Sequence, residues 1–260
     1  GVRLIGPWGL VLGVSPLLAA GLALIGKRGL LQPGPDAEWS ELTTNLGWLM
    51  LGTGSLAILI NSGTLAVQWF ADDSQQAAAG SFFAGLALAR LPLFLFQAIV
   101  ASLLPKLSRL AAEGRIAEFR SSLRILVVAI LAGGAVISVV AGALGPWVMR
   151  LLYVDNVLGG RDLAMLSAAS ILIMAAVCLD QAVIALDGHM RMALGWLAAL
   201  LTFSVAVLLG DDLFFRVELA FVLAGVVALV FMFLSLRARL RHHSPAHELD
   251  LAEAAAELTT

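Results

Sequence analysis

Arg90 is the residue whose chemistry most needs an explanation. It sits near the middle of an apolar run, Gly80 to Leu104, that is long enough to cross a bilayer. A guanidinium at that depth costs about 2.5 kcal/mol or more unless it faces water, a counter-ion or an anionic ligand. Gln97 lies seven residues further on, nearly the same helix face about 10 Å along the axis, and Asn61 and Gln68 repeat that spacing in the preceding run. If these two polar stripes face one another they line a wet path, with Arg90 as a forked donor to an anionic group. Pro92 removes a backbone hydrogen bond just beyond Arg90, and the kink it predicts is a hinge for opening and closing such a path.

Plainer roles compete with these. Arg90 can pair with Asp180 or with backbone carbonyls, although an intramembrane charge points to function by default. Asp180, beside Gln181, admits three roles: binding a proton or cation, neutralising Arg90, or lying near the inner interface. Asn61, Gln68 and Gln97 belong to a class that more often holds helices together than binds substrate. The single cysteine, Cys178, lies in an apolar run as a packing residue, and His189 has no second His or Cys near it, so no metal site and no disulfide framework is expected. Gly9 and Gly13, like Gly134, Ser138 and Gly142, recur at four-residue spacing and read as helix-packing surfaces.

The elements that must position these side chains follow from composition. With 60% hydrophobic and 13% charged residues in 260, the chain is far from the soluble average of about 25% charged. Its charges gather in short segments between apolar runs, and a net charge of -2 predicts no nucleic-acid surface. A template of roughly 20 apolar residues gives about seven spans: Pro7 to Ile25, Leu42 to Phe70, Gly80 to Leu104, Ser122 to Leu144, Leu163 to Leu186, Met192 to Leu209 and Phe215 to Leu236. No period-two alternation accompanies them, so the fold class is all-α, a polytopic membrane helix bundle.

The cations predict orientation. With the first connection cytoplasmic, Lys27, Arg28, Lys106, Arg109, Arg115, Arg120, Arg124, Arg191, Arg237, Arg239 and Arg241 fall on the inner side, and only Arg3, Arg150, Arg161 and Arg216 on the outer, which places the C-terminus in the cytoplasm. Trp8, Trp39, Trp69, Trp147 and Trp196 lie near span ends and read as interface anchors. Lys106 to Arg120 is expected to be a basic amphipathic helix on the inner surface, its Leu107, Leu110, Ala111 and Ile116 touching lipid, and Pro146 to Tyr153 a short interfacial helix on the outer one. From Arg237 onward a mobile tail with some helix is expected. The sequence opens on Gly1 without an initiating Met or the features of a secretory signal, so we expect the C-terminal part of a longer protein.

The residues Gly80-Ser81-Phe82-Phe83-Ala84-Gly85, Ala89-Arg90-Leu91-Pro92, Gln97-Ala98-Ile99 and Leu103-Leu104-Pro105-Lys106-Leu107-Ser108, ending near Gly114, resemble the eighth helix and following loop of polysaccharide flippases. These belong to the multidrug/oligosaccharidyl-lipid/polysaccharide exporter superfamily. The resemblance implies two six-helix lobes around a central cavity, with this chain supplying helices six to twelve. Residues 1–25 would be the last helix of the N-terminal lobe, 42–236 the C-terminal lobe and 237–260 a cytoplasmic tail. It also implies residence in the cytoplasmic membrane, alternating-access flipping of a polyprenyl diphosphate-linked glycan, and enzymes of cell-envelope biosynthesis as partners. The chain departs from many relatives at Asn61-Ser62-Gly63, where they carry an acidic residue in helix seven. Short outer connections leave no room for a clustered acid–base site, and no Gly-rich Lys-Ser/Thr nucleotide loop occurs, so neither an enzyme nor a cofactor is expected. The runner-up is a cation-coupled drug exporter of the same superfamily, disfavoured because a mid-span Arg repels cationic cargo. A scaffold subunit that transports nothing is the third reading.

Overall fold

Long apolar stretches with few charges leave the backbone no solvent to bond to in a bilayer, and the helix satisfies every N–H and C=O internally. In a computed structural model, which describes residues 14–15, 18–19, 21–22, 39–71, 76–152 and 158–242, the sequence takes that course throughout. The described elements are α1 (Trp39–Phe70), α2 (Gln76–Ala89), α3 (Leu91–Ala112), α4 (Ile116–Leu152), α5 (Gly160–Ile184), α6 (His189–Ala206) and α7 (Leu213–His242). Five of these, α1 and α4 to α7, are long and apolar enough to cross a membrane. The chain is a multi-pass membrane protein. It divides into two units, Gly1–Leu42 and Thr43–Thr260. In the first, the described residues 14–15, 18–19 and 21–22 are helical and exposed, and the rest of the predicted span from Pro7 to Ile25 lies outside the described residues, as do Gly9, Gly13 and Trp8.

In the second unit α5 is the central helix. Its span is 67% buried, against 11% for the peripheral α4, because α5 is packed on several faces by α2, α3, α4 and α7. Small residues permit the closest approach. A Cβ on Gly134 would fall 2.1 Å from Ile171, one on Gly160 would fall 2.4 Å from the Gly142 carbonyl oxygen, and Ser138 Oγ lies 3.4 Å from Ser167 Oγ. The four-residue repeat on α4 is therefore its seam against α5. Cys178 packs fully buried inside α5.

Three expectations about boundaries are corrected. The run from Gly80 to Leu104 is two helices, broken at Arg90. No separate amphipathic helix covers Lys106 to Arg120: α3 runs through Pro105 to Ala112, and α4 begins at Ile116. Leu103, Leu107 and Leu110 are buried against the bundle at helical spacing, followed by Phe119 and Leu123 from α4. That packing outweighs the hydrogen bond Pro105 cannot make. An apolar stripe looks the same in sequence whether it meets lipid or protein. The third correction is at Pro146 to Leu152, which continues α4 rather than forming its own element. Tyr153 lies outside the described residues. Helix α7 continues past Arg237 to His242, and residues 243–260 lie outside the described region.

The turn joining α3 to α4 shows why the helix ends there. Gly114 has φ +67, a conformation that costs only glycine little, and the N–H groups of Gly114 and Arg115 return to the carbonyls of Ala111 and Leu110. Across this turn the Arg115 guanidinium bridges Glu113 at 2.9 Å and Glu118 at 2.5 Å. Bonds to Glu118, then Glu113, hold it protonated beyond its ordinary range.

The cations also sort spatially. Arg120 donates to the Leu240 carbonyl, Arg191 to that of Ser235 and Arg239 to that of Asp187, so the start of α4, the α5–α6 turn and the end of α7 share one end of the bundle. At the other end Arg161 stands over the Phe215 ring and Arg216 over that of Phe70.

Candidate functional site

The site is built where α2 gives way to α3. Arg90 closes α2 with its N–H bonded to the Ala87 carbonyl at 3.2 Å, a tightened last turn, and its φ −93 and ψ −7 leave the regular helix. Pro92 then occupies the first turn of α3, where a missing N–H needs no partner and the fixed φ suits a helix start. The missing N–H of Pro92 therefore falls where the apolar run is interrupted.

The Arg90 side chain leaves this break half-buried. Its Nη2 donates to the backbone carbonyl of Ile60 on α1, and its guanidinium lies 5.8 Å from the centroid of the Phe221 ring on α7. Leu86 and Leu93 flank it, with Leu166 and Ser170 of α5 opposite. Of the roles weighed from the sequence, a carbonyl partner is the one found, and no acidic side chain pairs with Arg90 among the described residues. One cation thus ties together α1, the α2–α3 break and α7, helped by a ring face that attracts positive charge. On the opposite side of the break, Leu88, Leu91 and Pro92 face Ile137, Val140 and Leu144 of α4 across an apolar groove of about 320 Å³.

Asp180 is elsewhere. It is buried in α5, accepting from Trp196 Nε1 at 2.8 Å and Gln181 Nε2 at 2.7 Å, and so belongs to the α5–α6 contact rather than to Arg90. Trp196 is consequently corrected: it is fully buried, not an interface anchor, because its indole N–H has a carboxylate partner inside the bundle. Trp39, Trp69 and Trp147 are largely exposed near helix ends, in keeping with anchoring.

Asn61 and Gln68 are exposed on α1, and Asn61 Nδ2 returns to its own helix at the Ala57 carbonyl, 2.8 Å away. Neither lines the space around Arg90. Gln97 is helical in α3, and its side chain lies outside the described residues. The face-to-face stripes are therefore not brought together among the described residues. Arg90 meets α1 through the carbonyl of Ile60, and the next side chain, Asn61, projects about 100° further around the helix.

Sequence reasoning passed over Glu218. It lies in the second turn of α7, fully buried, and neither carboxylate oxygen has a hydrogen-bond partner among the described residues. The signal was available, because Glu218 is an ionisable residue just inside an apolar run and the test applied to Arg90 applies equally to it. No group of three or more His, Cys, Asp or Glu that could hold a metal ion occurs among the described residues.

No family model, curated protein or solved structure matches this chain.

Proposed function

We propose that this chain is the C-terminal lobe of a translocator that flips a lipid-linked oligosaccharide across the cytoplasmic membrane by alternating access. The observation that carries the reading is the helix break at Arg90, with its guanidinium bonded to the Ile60 carbonyl and set against Phe221. Discontinuous helices with polar groups at the break are how transporters build sites at membrane depth. A single carbonyl engages one N–H of the Arg90 fork and carries no net charge, whereas a diphosphate would meet the fork with bidentate bonds and an opposite charge. Arriving cargo would then take Arg90 from Ile60 and loosen the tie between α1 and the break. The apolar groove between the break and α4 supports a cargo whose polyprenyl tail stays in lipid while its head is carried. With the cation-rich end inside, the C-terminus lies in the cytoplasm.

The test follows labelled lipid-linked sugar in cells depleted of the full-length protein and complemented by wild type or by Arg90→Ala, scoring exposure on the outer leaflet. Accumulation on the inner leaflet in depleted and Arg90→Ala cells, relieved by wild type, is the expected result. Normal exposure in all of them overturns the proposal and leaves drug export or scaffolding.

A further inference from the structure

Glu218 is a carboxyl group with no exposed surface and no hydrogen-bond donor on either oxygen among the described residues. Its direction is set by helix phase. Seven residues on, a Cβ on Gly225 would meet Leu172 at 2.8 Å and the Ala169 carbonyl at 3.5 Å, so Glu218 faces α5 about two turns nearer the start of α7.

The charges that act on Glu218 are those of Asp162, Arg161 and Asp212. Each is turned to other partners. Arg161 pairs with Asp162 at 2.9 Å and covers the Phe215 ring. Asp162 accepts the Gly159 N–H at 2.8 Å, closing the start of α5, and Asp212 accepts the Phe215 N–H at 2.9 Å, closing the start of α7. Arg216, on the same helix, is directed to the Gly210 carbonyl at 3.5 Å and to the Phe70 ring. Helix α2, which places Phe82 against Phe214 one turn before Glu218, contains no charged residue, and neither do the last turns of α6. Arg161 is held by Asp162 rather than by Glu218, so among the described residues no cation or donor is bonded to the Glu218 carboxyl group. A metal ion or sodium would need several oxygen ligands converging on it, whereas a single carboxyl suffices for a proton.

We infer that Glu218 is a proton-binding site within the membrane, occupied in this conformation and exchanging its proton with water at the end of the bundle where α5 and α7 begin. Release requires water to reach the oxygens, or Arg161 to leave Asp162 and face the carboxylate. The inference holds whatever cargo the protein carries.

Infrared spectroscopy of the full chain reconstituted in lipid bilayers tests it. Wild type is expected to show the carbonyl stretch of a protonated carboxylic acid at neutral pH, lost in Glu218→Gln, and to shift that band on transfer to heavy water as O–H becomes O–D. Asp180 contributes equally to both spectra and cancels in the difference. A spectrum unchanged by Glu218→Gln overturns the site, and a Glu218 band that never shifts in heavy water overturns its exchange with solvent. Should Glu218→Gln fail to fold, Glu218→Asp is expected to move the band, and an unmoved band overturns the proposal.

Discussion

At the scale of single residues, the two partners that matter most differ in kind. Arg90 leans on a carbonyl that belongs to the continuous helix α1, so its removal strands no donor and leaves the Ile60 oxygen its ordinary helical partner. Arg90→Ala is therefore expected to fold like wild type while losing about tenfold or more of outer-leaflet exposure of lipid-linked sugar, the scale of one charge-assisted bond. Arg90→Lys keeps the charge without the fork and should fall between the two in the same assay. Asp180 and Trp196 behave oppositely, since the pair is buried and each is the other's partner. Trp196→Phe leaves one carboxylate oxygen short of a donor, and a loss of about 1–3 kcal/mol is expected in denaturant unfolding from detergent. Loss of transport with unchanged stability is the signature expected at Arg90, and loss of stability that at Trp196.

At the scale of elements, the seam between α4 and α5 makes a sharper test than any propensity argument. A methyl on Gly160 meets the backbone oxygen of Gly142, which cannot turn aside as a side chain can. Gly160→Ala must push the helices apart, at a cost of about 1–3 kcal/mol. Gly133, one residue from the seam, has open space where a Cβ would stand, with nothing within 4 Å, and Gly133→Ala should be neutral or slightly stabilising. The two alanines differ by position alone, so equal unfolding midpoints would contradict the close approach of α4 and α5. The break between α2 and α3 is an element-scale feature too. Pro92 in the first turn of α3 discourages a continuous helix, and Pro92→Ala is expected to extend helix through Arg90 and weaken transport without unfolding the chain, as circular dichroism with the flipping assay would report.

At the scale of the whole molecule, the cations divide by end. Arg120, Arg191 and Arg239 reach carbonyls that cluster with the end of α7, while Arg161 and Arg216 stand over rings at the opposite end. With Cys178 replaced by Ala, a cysteine at Glu113 is expected to react with a membrane-impermeant thiol reagent only from the cytoplasmic side, and one at Asp211 only from the other. Labelling of both from the same side would contradict the topology.

The amino-acid sequence by itself determined that this is a helical, multi-pass membrane protein, because hydrophobicity along the chain is a local property and a bilayer admits few ways to satisfy a backbone. It also determined that Gly134, Ser138 and Gly142 form a packing face and that Arg90 needs a partner, since spacing and charge are written in order. Which partner each polar group takes was decided only in three dimensions. Arg90 chose a backbone carbonyl, a group every residue carries and no sequence distinguishes, and Asp180 met Trp196 because the α5–α6 turn brings them face to face. The same holds for the stripe at Leu103, Leu107 and Leu110, which sequence could assign equally to lipid or to protein, and for Glu218, whose isolation exists only once α5 and α7 have closed around it. Apolar periodicity says that a face will be buried, and only the packing of neighbouring helices says against what.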